Sequence, residues 1–127
     1  MKCYTDIEQS KQLSKILPIE SADMHYARKA YDFMGNPVDG EWSHPKYGNP
    51  NSKYANYIVQ NFESYEKIPC WSLVALLDAL QVVDNNIEFW SDNEGWHLSN
   101  AIYEICTSNP VDTCVEMIIK LKEENLL

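Results

Sequence analysis

The chain has 127 residues, of which 45% are hydrophobic and 23% charged, with a formal net charge of −9. That length suits one hydrophobic core and leaves no room for a second, and the apolar share argues against disorder along the whole chain. The charge is concentrated: from Ile68 to Ile119 there is no Lys or Arg, and eight acids between Asp78 and Glu116 supply −8, the remainder holding eleven acids against ten bases.

A surface of that sign repels phosphate backbones, which argues against direct nucleic-acid binding and suits either a partner with a basic surface or plain solvation. No apolar run approaches roughly eighteen residues, so no membrane span is expected. The opening MKCYTDIEQS lacks the apolar stretch of a secretory signal, so a soluble cytoplasmic protein is expected. Cys3, Cys70, Cys106 and Cys114 are then expected as reduced, mostly buried thiols.

The first predicted element is a helix over 5–16. Thr5-x-x-Glu8 has the form of a capping box, Ile7, Leu13, Ile16 and Leu17 make an apolar stripe, and Pro18 ends it. Residues 22–34 mix two periods and read as a strand at their start. Residues 35–53 hold three of the four glycines and three of the six prolines, which predicts a long loop. Its Trp42, His44 and Tyr47 are residues that pack rather than float.

Residues 54–66 place Tyr54, Tyr57, Ile58, Asn61 and Tyr65 on one helical face. Residues 69–80 begin with Pro69 in a position that suits a first helical turn and leave almost no polar face, which predicts a central, buried helix. Ile87–Trp90, a turn over Ser91–Gly95, and Trp96–Leu98 read as a hairpin. Ala101, Tyr103 and Ile105 then alternate as a strand, with a helix over 97–106 as the competing reading. Asn109 and Pro110 open the last helix, with Asp112 in its first turn and Lys120 and Lys122 near its end.

Cys114 invites a reading as a nucleophile near a helix N-terminus. It falls past the first turn, between Asp112 and Glu116, and inside the stripe Val111, Val115, Ile118 and Leu121, so a core cysteine is expected, its thiol discouraged from ionising by the acids. A Cys–His pair such as Cys70 with His97 would need only to meet in space. Zinc finds no cysteine pair of the usual short spacing and no histidine pair about three to five residues apart; no metal site, catalytic residue or cofactor is assigned. Phosphate-cradling glycine loops are absent. The aromatic residues remain: Trp42, His44, Tyr47, Trp90, Trp96 and His97 are the candidate binding residues, since such side chains serve as stacking platforms and interface anchors as well as core.

The stretches TDIEQSKQLSKILPIESADM, IPCWSLVALLDAL and SNPVDTCVEMIIKLKEENLL resemble a family of small uncharacterised proteins of Bacteroides-type gut bacteria and their prophages and mobile elements. The resemblance covers about half the chain and matches residues 27–67 much less well. It implies an α+β fold and brings no catalytic residue with it.

The expectation is therefore a single α+β domain over 1–127, with three or more helices on a small, mostly antiparallel sheet. The expected function is a non-catalytic interaction or inhibitor module for a protein with a basic surface. A binding module for a small nucleotide-like ligand is the alternative, and a thiol-dependent enzyme the third reading. The oligomeric state stays open, a homo-oligomer included.

Overall fold

Asp6, rather than Thr5, caps the first helix. Its carboxylate accepts from the Gln9 N–H at 2.8 Å, and the Gln9 side chain accepts from the Asp6 N–H at 3.1 Å, a capping box shifted one residue from the Thr5–Glu8 pattern. Thr5 is fully buried instead. Its backbone N–H donates to the Trp71 carbonyl at 2.9 Å, and its hydroxyl accepts from the Trp71 N–H at 3.1 Å. A side chain held by a distant strand end cannot also cap the adjoining helix.

The computed structural model describes residues 2–32, 34–51 and 64–127. In chain order they form α1 (Ile7–Ser14), a 3₁₀ turn (Ile19–Ser21), β1 (Met24–Tyr31), β2 (Lys46–Tyr47), β3 (Ser64–Cys70), α2 (Leu73–Val83), β4 (Glu88–Asp92), β5 (Gly95–Ser99), β6 (Glu104–Thr107) and α3 (Pro110–Glu123). The fold is α+β. Among the described residues the strands make two antiparallel three-stranded sheets, ordered β2-β1-β3 and β4-β5-β6, in place of the one small sheet expected.

Other expectations are extended, corrected or fall outside the described residues. The segment 22–34 is a strand through most of its length, with Met24 facing Cys70 and Lys29 facing Tyr65 across β1 and β3. The helix expected over 54–66 lies outside the described residues up to 63, and Ser64–Glu66 belong to β3. Pro69 sits in β3 as well: the strand lies at the edge of its sheet, where a missing N–H is tolerated. Helix α2 starts four residues later than Pro69, with Ser72 accepting from the Ala75 N–H. It is also less enclosed than expected, since Val74 and Val82 are exposed while Leu76 and Leu80 are fully buried.

The loop after β1 packs on its own sheet. Ser43 N–H donates to Ala27 O at 2.8 Å and Gly48 N–H to Asp23 O at 2.8 Å, and β2 is a two-residue addition to β1. No helix among the described residues is long and apolar enough to cross a membrane.

The larger core gathers Leu13 and Leu17, α2's Leu76 and Leu80, Leu98 of β5 and the α3 stripe Val111, Cys114, Met117, Ile118 and Leu121. Each buried aliphatic side chain there is worth about 1.5–3 kcal/mol over exposure. A smaller cluster, Met24, Tyr26 and Cys70 with Ile7, Trp42 and Ile68, lies at the first sheet. Thr5 ties the two, since Tyr26 Oη donates to its carbonyl at 2.7 Å while Trp71, of the larger core, pairs with its backbone.

Candidate functional site

Side chains alternate between the faces of a strand, and the register of the second sheet sorts them cleanly. Phe89 faces Leu98 and Leu98 faces Ile105 across β4, β5 and β6. This rank packs against the core. One residue away, Trp90 faces His97 and His97 faces Cys106. This second rank lies on the other side of the sheet, where Trp90 and Cys106 are exposed.

The hairpin turn brings acids to that rank. Asp92 Oδ1 accepts from the Glu94 N–H at 2.9 Å, a local bond that stabilises the turn. Gly95 follows at φ +140°, and a Cβ there would fall 2.4 Å from the Thr107 carbonyl oxygen. Only glycine lets β6 close so near the turn, which is what carries Cys106 to the histidine.

His97 is the hub, 6% exposed. Its ring is stacked on the Trp90 indole, centroids 5.0 Å apart and planes within 1°. Nε2 meets Asp92 Oδ1 at 2.8 Å, Nδ1 meets Glu104 Oε1 at 3.3 Å, and Cys106 Sγ stands 3.7 Å from Nε2. The hydrogen bond to Asp92 raises the imidazole above its ordinary 6.5, against the opposing effect of burial, and the same bond holds the Asp92 carboxyl below its ordinary value. The Cys106 thiol is pushed up, by burial first and then by Asp92, Glu94 and Glu104. A Cys–His contact surrounded by carboxylates is thus the reverse of an activated thiolate pair.

The six residues expected to bind do not converge. Trp90 and His97 share the open face of the second sheet, but Trp96 lies on its other face, stacked on Phe89 at 5.4 Å. Trp42 carries the Arg28 guanidinium 4.8 Å above its ring and packs on the smaller cluster. His44 and Tyr47 line a separate groove of ≈ 400 Å³ with Tyr4, Met24, Pro45 and Ser72. The physical reason is strand alternation: adjacent aromatic residues such as Trp96 and His97 must point to opposite faces.

Neither Cys70 nor Cys114 joins a histidine. Burial raises both thiols, Cys114 to about 12. For Cys114 the cause is burial and not the flanking acids expected to act on it, since Asp112 accepts from Lys2 Nζ at 2.9 Å and from Gln9 Nε2 at 2.8 Å. Sequence reasoning missed Asp92, Glu94, Glu104 and Cys106 as companions of His97. The one available signal was the predicted hairpin followed by a strand, whose register sets Cys106 opposite His97.

No protein-family model, curated protein or solved structure matches the chain.

Proposed function

We propose that this chain is a single-domain, non-catalytic interaction module of phage or mobile-element type. It acts in the cytoplasm on a protein with a basic surface, as an inhibitor of that protein. The observation that carries the reading is the open face of β4–β6, where exposed Trp90 stands among the exposed acids Glu88, Asp92, Glu94 and Glu104. No Lys or Arg of the 68–119 stretch offsets them. An indole ringed by carboxylates suits an arginine or lysine side chain, which gains from the ring's electron-rich face and from the surrounding charge together.

The test is binding of a fluorescent arginine-rich peptide, followed by anisotropy. We expect affinity that falls steeply with salt and drops at least tenfold in Trp90→Ala, with a smaller loss in Glu88→Gln. Binding that ignores both substitutions, or no binding at low salt, overturns the reading.

A second reading keeps one observation of its own. The groove beside His44 and Tyr47, with Tyr4 on its wall, is of a size for a small ligand. Equilibrium dialysis with mononucleotides, repeated on Tyr47→Ala, decides it: retention by the native chain alone supports a nucleotide-like ligand.

A further inference from the structure

We infer that Asp92, Glu94, His97 and Cys106 form a binding site for a divalent ion of the zinc type, with Glu104 orienting the histidine. Ligand atoms of Asp92, Glu94 and His97 lie within 4.8 Å of one another. Cys106 Sγ, on the neighbouring strand, falls outside that mutual spacing but stands 3.7 Å from His97 Nε2. In a tetrahedral zinc centre a nitrogen and a sulfur ligand stand about 3.6 Å apart and a nitrogen and an oxygen about 3.4 Å, as the usual bond lengths require. The sulfur is therefore at ligand spacing from the histidine, and the carboxylates have to close on it when the ion binds. The Asp92 oxygen, now hydrogen-bonded to Nε2 at 2.8 Å, has to move out by about 0.6 Å to meet that spacing.

The second observation is on the far side of the ring. Glu104 Oε1 stands 3.3 Å from Nδ1. A carboxylate that accepts from one ring nitrogen leaves the other to the metal, the arrangement that tunes metal-bound histidines. The Trp90 stack holds the ring plane, so both nitrogens keep their directions. Thiolate, imidazole and carboxylate together select a zinc-like ion over calcium or magnesium, which prefer oxygen alone. On binding, the Cys106 S–H and the His97 Nε2–H each pass their proton to solvent, and the metal takes both positions. No pair in this set has a linear zinc motif: the ligands come from two ends of a hairpin turn and from a neighbouring strand, and the sheet register makes the site.

Cobalt(II) titrated into the full chain under reducing conditions tests this. We expect one equivalent to bind, with the visible bands of a four-coordinate ion and a near-ultraviolet thiolate-to-cobalt band. Cys106→Ser, at an exposed position, removes the near-ultraviolet band, and His97→Ala or Asp92→Asn weakens binding at least tenfold. Glu104→Gln keeps the band but weakens binding roughly ten- to a hundredfold, as loss of an orienting carboxylate does elsewhere. Cys3→Ser changes nothing. A band that survives Cys106→Ser, affinity unaltered by His97→Ala and Asp92→Asn alike, or no band in the native chain overturns the site. Failure here and failure of the basic-partner reading stay distinguishable, because Glu88→Gln weakens the peptide and leaves cobalt binding unchanged.

Discussion

Phe89, Leu98 and Ile105 lie one residue away from Trp90, His97 and Cys106 on the same three strands, yet the first rank packs on the core beneath α3 and the second lies on the open side. The inner rank is apolar and makes no hydrogen bond through its side chains. The outer rank and its neighbours are chemical: a histidine held at both ring nitrogens, a thiol, an indole and four carboxylates. One sheet thus serves as a wall of the core and as a platform, and the two roles can be separated by mutation, because strand alternation sends the side chains of the two ranks to opposite faces.

Breaking the inner rank should have the largest effect on folding. Leu98 is fully buried, and Leu98→Ala is expected to remove about 2–5 kcal/mol, the range for truncating a core aliphatic residue. The check is the urea midpoint, which should fall with an unchanged slope. Gly95→Ala should come next, at about 1–3 kcal/mol, since it must distort a positive-φ position against the Thr107 carbonyl. It also pushes β6 from the turn, so thiolate ligation by Cys106 should fail at urea concentrations where the variant is still folded.

The inner rank is also what the sequence displays. Alternation over 87–98 and the cap Asn109-Pro110 announce a hairpin and a helix, because both signals are local. Pro69 misleads for the same reason: a proline suits the first turn of a helix as well as an edge strand, and only the pairing of His25 with Pro69 decides between them. Thr5 and Asp6 are both capping residues, and a bond to Trp71, far along the chain, takes Thr5 out of competition. The second sheet's outer cluster was hidden more deeply. His97 and Cys106 share no motif, and they meet only because β5 and β6 pair in a register that the residues between them do not spell out.

Trp90→Ala should separate the ranks from the other side. The stack on His97 is worth about 0.5–1.5 kcal/mol by comparison with other ring pairs, so the chain should stay folded while the basic peptide is lost. Thiol reactivity gives an independent check: in the native state a maleimide reagent should modify exposed Cys3 and Cys106 and leave buried Cys70 and Cys114 untouched until the chain unfolds.

The smallest effect, and the most specific to the outer rank, concerns pH. His97 titrates above its ordinary 6.5 in the folded chain, so its pairing stabilises the fold fully below 6.5 and is lost as pH rises through the elevated native value. Asp92 titrates below its ordinary 3.8, so its contribution is present above 3.8 and is lost as pH falls through the depressed native value. Both conditions hold together between 3.8 and 6.5, where a carboxylate meets an imidazolium. With chelator present to keep metal out, the melting temperature of the native chain should exceed that of Asp92→Asn by most in that window, and the gap should narrow toward pH 9 as His97 becomes neutral. Leu98→Ala should show no such narrowing, since the aliphatic carbons it removes do not titrate. A gap between the native chain and Asp92→Asn that stays constant from pH 5 to pH 9 would mean that the pair at the turn is a packing contact without charge, and the contrast between the two ranks would shrink to one of burial.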